Sequence, residues 1–205
     1  MSTLLQINSS ARAGGESSRL ANDFTQAWRH NHPEGVVVLR DLTARPVPHL
    51  DEPTLNAFST PPEQRDASQR EAVRLSDELI AEIQAADVIV MGVPMYNFGI
   101  PSTLKAYFDH IARAGITFQY TANGPQGLLT GKRAIVLAAR GGIYSGTPKD
   151  TQSAYLRDFL AFIGITELEF VYAEGLAMGE EQALRARQQA AARIAELSAV
   201  LGGET

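Results

Sequence analysis

The sequence contains no cysteine, and this absence excludes several kinds of chemistry at once. Disulfide bonds, thiolate metal sites and cysteine nucleophiles all need a thiol. Histidine is scarce as well, and the pair His30 and His32 stands at a predicted helix end without carboxylates at ligand spacing. That pattern is more typical of a solvated helix end than of a metal site. We therefore expect neither thiol chemistry nor a bound metal.

Long apolar runs are also missing from the chain. No stretch approaches the roughly 20 apolar residues that a membrane helix needs, and residues 1–6 lack the basic and apolar regions of a signal peptide. The net charge of -5, from 18 basic and 23 acidic residues, provides no general attraction to nucleic acid or to an anionic membrane. We expect a cytoplasmic protein with neither nucleic acid nor membrane as a partner.

Hydrolytic chemistry finds little support in the sequence. The chain has no G-x-S-x-G motif, which would mark a serine nucleophile between a strand and a helix. The acidic pairs at 51–52 and 180–181 are typical of solvated helix caps rather than of the paired carboxylates of a glycosidase. The chemistry must be sought in other residues.

The pattern that is present is an alternation of strands and helices over a single domain, residues 1–205. Five apolar runs are predicted as strands and alternate with five segments of helical periodicity. The predicted strands cover residues 3–7, 36–39, 87–93, 134–138 and 168–173. Such alternation predicts an α/β fold with a five-stranded, mainly parallel sheet and helices on both faces.

The number of strands and the first loop distinguish between the two common orders of such a sheet. Five strands favour the flavodoxin-like order 2-1-3-4-5. A dinucleotide-binding domain should carry G-x-G-x-x-G after the first strand, and residues 8–18 do not match that motif. Two long connections, 41–66 and 115–131, lie outside this alternation, and long connections in compact domains are often functional.

In the order 2-1-3-4-5, the loops that follow strands one, three and four should line one crevice. The serine loop, residues 8–18, holds Ser10, Glu16, Ser17 and Ser18 ahead of a helix. Hydroxyl groups and free N–H groups at a helix N-terminus favour a phosphate. The alternative is that Ser17 or Ser18 is simply the N-cap of the helix.

The two other loops carry groups suited to a planar ring. The aromatic loop, residues 94–101, could stack on a ring and bind its edge, although its aromatic side chains could instead cover the end of the sheet. The glycine loop, residues 139–146, lets the backbone approach a ligand closely, although a flexible loop would have the same composition. The candidate residues are Met95, Tyr96, Asn97 and Phe98 in the first of these loops, and Ala139, Arg140, Gly141 and Gly142 in the second. Together the three loops predict a site for FMN.

At these residues the sequence resembles the FMN-dependent NADH:azo-compound/quinone oxidoreductases of the flavodoxin-like superfamily. The resemblance extends over essentially the whole chain, in residues 94–98, 104–109, 112–120, 123–125, 140–143, 162–165 and 173–175. It implies that Ser10 and residues 16–18 bind the phosphate of FMN. It also implies that residues 95–98 contact the flavin ring and that residues 139–142 contact its edge.

Two positions depart from the family pattern. The family often has Ser-x-Ser in the first loop, where this chain has Glu16-Ser17-Ser18 and is one residue shorter. Position 139 is often serine in the family and is alanine here, so any contact at Ala139 must come from the backbone. The exact phosphate contacts are left open by these differences.

The resemblance implies a ping-pong reaction, in which NADH or NADPH first reduces FMN and a quinone or an azo compound is then reduced. The flavin supplies the chemistry, so no side chain is expected to act as an acid, a base or a nucleophile. Backbone donors at Gly141 and Gly142 are expected to stabilise the reduced flavin. The choice between NADH and NADPH stays open, because the sequence does not place arginines such as Arg65 and Arg140 relative to the mouth of the site.

The substrate side of the site is also carried over from the resemblance. Tyr120 and Phe162 match aromatic positions near the open face of the flavin and are expected to form a substrate platform, with ordinary core packing as the alternative for Phe162. Family members are homodimers with the site at the subunit boundary. An FMN-binding electron carrier or regulatory module without its own NAD(P)H reaction is the alternative function. A third possibility is a domain of this fold that binds no ligand.

Overall fold

A five-stranded parallel sheet forms the centre of the protein in a computed structural model that describes residues 2–202. The strands of the described chain are β1 (Thr3–Asn8), β2 (Val36–Asp41), β3 (Val88–Pro94), β4 (Phe118–Thr121), β5 (Gly124–Gly127), β6 (Arg133–Ala139) and β7 (Glu167–Ala173). The central sheet has the order β2-β1-β3-β6-β7, and each neighbouring pair is parallel. Since β4 and β5 form a separate hairpin, this is the predicted order 2-1-3-4-5.

Helices cover both faces of the sheet, as the alternation predicted. The helices of the described chain are α1 (Glu16–Asn31), α2 (Glu52–Ser59), α3 (Ala67–Ala85), α4 (Ser102–Ile111), α5 (Thr151–Ile163) and α6 (Glu180–Gly202). α1 and α6 pack on one face, and α3, α4 and α5 pack on the other. Successive residues of a strand point to opposite faces. Leu4 of β1 therefore packs in the core beneath α1 and α6, and Leu5 packs in the core beneath α3, α4 and α5.

The long connection 41–66 contains a helix that the periodicity did not predict. α2 occupies residues 52–59 and is followed by a turn of 3-10 helix at residues 62–64. The side chain of Asp51 caps α2 by accepting a hydrogen bond from the N–H of Thr54 at 3.0 Å. Because Ala57 is the single buried residue of this short helix, its apolar periodicity is too weak to be recognised in the sequence.

Two further details differ from the sequence-based expectations. The connection 115–131 contains the antiparallel hairpin β4–β5. His32 is half-buried rather than solvated: its ring stacks on Trp28 with centroids 4.4 Å apart, and one ring nitrogen lies 3.1 Å from the carbonyl oxygen of Leu201. The end of α1 therefore contacts α6, and the expectation of a solvated end is wrong for His32.

Candidate functional site

A cavity of about 510 Å³ lies at the carboxyl ends of β1, β3 and β6. It is lined by the serine loop, the aromatic loop and the glycine loop, together with two residues that follow β7. The lining residues are Arg12, Ala13, Gly14, Gly15, Glu16, Ser17, Pro94, Met95, Tyr96, Ala139, Arg140, Gly141, Leu176 and Ala177. The structure thus brings the three predicted loops to one place.

The N-terminus of α1 forms one wall of this cavity. Gly15 is the N-cap, so Ser17 and Ser18 are not, and the N-cap alternative for these serines is wrong. A Cβ atom at position 15 would lie 2.3 Å from Oγ and 3.1 Å from Cβ of Ser10 and 3.2 Å from the carbonyl oxygen of Arg12, so any other residue there would force the serine loop to shift. With no side-chain cap, the first N–H groups of α1 are available to an anion.

Ser17 is the residue of this wall whose side-chain hydroxyl lacks a hydrogen-bond partner within residues 2–202. Its side chain is fully buried and borders the cavity. Most buried hydroxyl groups have a partner, and this one differs from the other unpartnered buried atoms of Thr25, Trp28 and Tyr107 because Ser17 borders the cavity. A phosphate at the N-terminus of α1 would supply the missing acceptor.

The other predicted phosphate-binding residues have different surroundings. The carboxylate of Glu16 is paired with the guanidinium group of Arg187, with Nε and Oε1 at 2.9 Å, so Glu16 can offer a phosphate only its backbone N–H. The Oγ atom of Ser10 lies 3.2 Å from the N–H of Arg12 and stabilises the loop. Neither Ser10 nor Ser18 is among the residues that line the cavity.

The aromatic loop forms the second wall through Met95 and Tyr96. Two backbone hydrogen bonds of 3.0 Å connect Tyr96 and Gly99 and close a two-residue turn. The residues at the tip, Asn97 and Phe98, have positive φ angles of 49° and 67°, as in a type I′ turn. Both tip residues are exposed and lie outside the cavity lining, so their side chains project past the wall.

The glycine loop forms the third wall through Ala139 and Gly141. The carbonyl oxygens of Gly141 and Gly142 accept hydrogen bonds from the N–H groups of Ala177 and Gly175 at 3.0 and 2.9 Å. Neither glycine N–H donates to another group in the described part of the chain, so both are available to a ligand. Gly142 itself does not line the cavity, and a Cβ atom there would lie 2.8 Å from the hydroxyl of Tyr144.

Both arginine candidates for a contact with the nicotinamide substrate are already engaged within the protein. The side chain of Arg140 has 0% exposure and pairs with Asp150 and Glu174, each at 2.9 Å, so only its backbone can border the cavity. Arg65 donates from Nε to the carbonyl oxygens of Ala57 and Thr60. The Arg140 guanidinium group is buried behind the cavity and Arg65 does not line it, so neither group lies where a nicotinamide nucleotide in the cavity would meet it.

Tyr120 and Phe162 lie together in the structure, but they are not part of the cavity wall. Both contact Phe118, with centroid distances of 5.4 Å to Tyr120 and 4.3 Å to Phe162, and Phe162 also lies 6.5 Å from Phe159. We call these four residues the hairpin aromatic cluster. Tyr120 is 76% exposed although its neighbours are largely covered.

Three groups of lining residues were not predicted from the sequence. Residues 12–15 complete the serine loop, Pro94 ends β3, and Leu176 and Ala177 follow β7. Leu176 and Ala177 could have been found, because β7 is the neighbour of β6 and its exit loop must lie beside the glycine loop. Within residues 2–202, no group of three or more metal-ligating side chains has a suitable arrangement.

The donors of this cavity fit FMN. A buried hydroxyl with free N–H groups suits a phosphate, and a thioether, an aromatic ring and glycine N–H groups at the other walls suit a flavin ring. The fold and the cavity together define an α/β protein of the flavin-nucleotide-binding class, with its site at the switch point of the sheet. The profile of a family described as having the flavodoxin-like fold matches residues 2–197, and the chain belongs to that family.

Relatives with known names agree with this class. The chain is 61% identical over 182 residues to an FMN-dependent NADH:quinone oxidoreductase from Cellvibrio japonicus, which covers 88% of this chain and 92% of that protein. It is 55% identical over 197 residues to the FMN-dependent NADH:quinone oxidoreductase of Dechloromonas aromatica, with 96% and 99% of the two chains covered.

Solved structures show the same similarity. An azoreductase from Bacillus anthracis str. Sterne superposes with a TM-score of 0.89 at 29% identity, covering 97% of this chain and 99% of that one. An FMN-dependent NADH-azoreductase from Bacillus anthracis str. Ames Ancestor, solved in complex with FMN, has a TM-score of 0.89 at 26% identity, covering 99% and 100%.

Proposed function

We propose that this chain is an FMN-dependent NADH:quinone oxidoreductase that also reduces azo compounds. The observation that carries the proposal is the buried, unpartnered hydroxyl of Ser17 at the uncapped N-terminus of α1, in the cavity that also holds Met95 and Tyr96. The names of the relatives supply the donor and the acceptors, since they combine FMN, NADH and quinones or azo compounds.

The serine loop would hold the phosphate of FMN. Ser17 Oγ would donate one hydrogen bond, and the first N–H groups of α1, from Glu16 to Ser18, would donate others. Charge favours this arrangement, because the helix N-terminus carries partial positive charge. The pairing of Glu16 with Arg187 offsets the carboxylate that would otherwise oppose the phosphate.

The two other loops would hold the ring. Met95 and Tyr96 would contact its face, while Ala139 and the N–H groups of Gly141 and Gly142 would bind its edge. FMN held by these residues would supply the redox chemistry, namely uptake of a hydride from NADH and delivery of two electrons to the acceptor. The protein contributes position and charge: N–H groups aimed at the ring edge favour the anionic, reduced state.

A single open cavity has to serve both substrates in turn, so we expect ping-pong kinetics with parallel initial-rate lines. The remaining predicted contacts act from outside the cavity lining. Ser10 holds the serine loop in shape, because its Oγ atom accepts a hydrogen bond from the N–H of Arg12. Asn97 and Phe98 project at the edge of the aromatic loop, where an entering acceptor would meet them.

We further propose a homodimer in which the hairpin aromatic cluster of one protomer covers the cavity of its partner. Tyr120 is largely exposed, and neither it nor Phe162 lines the cavity of its own chain. Large apolar side chains are also exposed on the aromatic and glycine loops, at Phe98 and Ile143, and an exposed apolar patch marks an interaction surface. Such a dimer would place the predicted substrate platform at a shared site, and the cytoplasm would supply its NADH.

The first experiment is a visible spectrum of the purified protein, followed by anaerobic addition of NADH. We expect a flavin spectrum that bleaches on addition of NADH and returns when benzoquinone or methyl red is added. Parallel titrations with NADPH compare the two donors. Bound flavin that neither nucleotide reduces would favour an electron carrier instead. A protein that binds no FMN after reconstitution would contradict the proposal.

A further inference from the structure

The buried guanidinium group of Arg140 is the centre of a hydrogen-bond network behind the cavity. It donates from Nε to Gln152 at 3.1 Å, from Nη1 to Glu174 at 2.9 Å, and from Nη2 to Asp150 and Ser153 at 2.9 and 2.8 Å. We call these five residues the Arg140 network. An arginine without exposure is costly unless it is hydrogen-bonded, and the four bonds here engage each of its three nitrogen atoms.

One arm of the Arg140 network reaches the aromatic loop. Gln152, in the first turn of α5, donates from Nε2 to the carbonyl oxygens of Pro94 and Gly99 at 2.9 and 3.1 Å. These two atoms stand on either side of the strained turn at Asn97 and Phe98. Gln152 therefore bonds to both ends of that turn and holds it in a conformation that the backbone disfavours by itself.

The other arm reaches the glycine loop. The Oε1 atom of Glu174 accepts hydrogen bonds from the N–H groups of Tyr144 and Ser145, at 2.9 and 3.0 Å, in addition to the bond from Arg140. One carboxylate oxygen thus connects the loop after β6 to the chain that follows β7. The network joins two of the three cavity walls, although the side chains of Gln152 and Glu174 do not line the cavity.

We propose that Arg140, Gln152 and Glu174 are positioning residues that set the spacing between the aromatic loop and the glycine loop. This inference rests on the proposed function, because the gap between these loops is where the flavin ring would lie. Buried hydrogen bonds give a fixed geometry, and loss of one partner leaves charged or polar groups unsatisfied. The network acts on the ring of the flavin and leaves the phosphate site at α1 unaffected.

Riboflavin separates these two parts of the site, because it carries the ring of FMN without the phosphate. We would measure the affinities of the apoprotein for riboflavin and FMN in wild type, Gln152→Met and Gln152→Glu. Methionine removes every polar bond of the side chain, whereas glutamate still accepts from Arg140 but no longer donates to Pro94 and Gly99. Both variants should bind riboflavin and FMN more weakly by the same factor, about tenfold.

A direct readout needs no flavin. Amide hydrogen exchange of the apoprotein should become faster in residues 94–101 of both Gln152 variants, and in residues 141–146 of Glu174→Leu. The matched control is Gln6→Met, because Gln6 is also buried and donates from Nε2, to Asn8 on its own strand and to Asn22 on α1. Gln6→Met should leave exchange in both loops and riboflavin affinity unchanged within about twofold.

Three outcomes would overturn the positioning role. These are unchanged riboflavin affinity in Gln152→Met, rescue by Gln152→Glu, and an equal effect of Gln6→Met on the two loops. In the enzyme, displacement of the ring should lower kcat with NADH more than it changes KM. Failure of the proposed function can be distinguished from failure of the positioning role. A wild-type protein that binds riboflavin but is not reduced by NADH contradicts the proposed oxidoreductase activity. The riboflavin affinities and the amide exchange rates of the variants still test the positioning role of the Arg140 network.

Discussion

Ser17 illustrates how one side chain can be unfavourable for the apoprotein and useful for the holoprotein. Its hydroxyl is buried without a partner, which costs about 1–3 kcal/mol in the absence of a ligand. A hydrogen bond to a charged phosphate contributes about 1.5–3 kcal/mol. The same atom therefore lowers the stability of the empty protein and raises its affinity for FMN.

Ser17→Ala should reverse that balance. We expect the free energy of unfolding of the apoprotein to stay level or rise by about 1 kcal/mol, and the affinity for FMN to fall by about 10- to 100-fold. Riboflavin affinity should not change. Ser18→Ala is the control, because that side chain does not line the cavity; an equal loss of FMN affinity in the two variants would contradict the assignment.

Phe98 is a second residue whose local conformation carries information. A φ angle of 67° is unfavourable for any residue with a Cβ atom, by about 1–2 kcal/mol. The strain is maintained by bonds from α5: Thr151 Oγ1 donates to the Phe98 carbonyl at 2.7 Å, next to the bonds from Gln152. Strain held in this way is common at functional sites.

Phe98→Gly should be more stable than Phe98→Ala by about 1 kcal/mol in urea unfolding, because both lose the ring but only alanine retains the strain. At Leu39, an exposed residue of the edge strand β2, the order should be reversed, with glycine the less stable substitution. Equal stabilities of the two Phe98 variants would show that the turn is not strained.

At the scale of elements, the N-terminus of α5 connects the site to the sheet. Asp150 is its N-cap, accepting from the N–H of Ser153 at 3.0 Å, and it also pairs with Arg140. Burial of Asp150 opposes its ionisation, but the hydrogen bonds from Arg140 and Ser153 prevail and lower its pKa below the ordinary value of 3.8. The N-cap of α5 and the ion pair with Arg140 thus both depend on the ionised carboxylate of Asp150. Through the Arg140 network, the walls of the cavity depend on it as well.

The sign of the pH dependence follows from that lowered pKa. Asp150 contributes stability that is fully present above its unfolded pKa of 3.8 and is lost as the pH falls through its lower folded-state pKa. Asp150→Asn should therefore cost about 3 kcal/mol at about pH 7, and the difference from wild type should narrow only below 3.8. Urea unfolding over a pH series measures it.

The control for this series is Asp158→Asn, on an exposed position of the same helix. We expect a change of less than about 0.5 kcal/mol at every pH. A difference between Asp150→Asn and wild type that stays constant far into the acid range, or that vanishes near neutral pH, would show that the carboxylate charge is not what stabilises α5.

At the scale of the whole molecule, the question is whether one chain forms a complete site. The cavity is lined by Ser17, Met95, Tyr96 and Gly141 among the predicted flavin contacts, while the hairpin aromatic cluster lies elsewhere on the same chain. Two protomers related by a two-fold axis could place each cluster over the cavity of the other. Sedimentation equilibrium gives the oligomeric state directly.

A mixing experiment tests the shared site. Gly15→Ala should prevent FMN binding, because its Cβ atom would lie 2.3 Å from Oγ and 3.1 Å from Cβ of Ser10 and 3.2 Å from the carbonyl oxygen of Arg12, and Tyr120→Ala should remove the exposed ring of the platform and with it quinone reduction. Refolding the two inactive variants together should restore about a quarter of the wild-type turnover with quinone, since half the dimers are mixed and each has one intact site. Each variant refolded alone is the control, and activity equal to the sum of the two would contradict a shared site.

Much of the architecture could be predicted from the sequence because its signals are local. The run of apolar residues in β3 predicts a strand that is covered on both faces, and it is fully buried. Parallel strands bring their exit loops to one edge, so the sequence alone predicts that Ser17, Tyr96 and Gly141 share a cavity, and all three line it. The resemblance to the family added the nicotinamide donor and the quinone and azo acceptors.

The tertiary structure decided what depends on contacts between distant residues. Arg140 was expected at the ligand, but its partners Asp150 and Glu174 lie 10 and 34 positions along the chain and draw its side chain into the protein. His32 was expected in solvent, but the end of α6 covers it. Local periodicity determines which segments form strands and which loops share an edge; the partners of a charged side chain are chosen only when those segments pack, because burial makes each unpaired group costly.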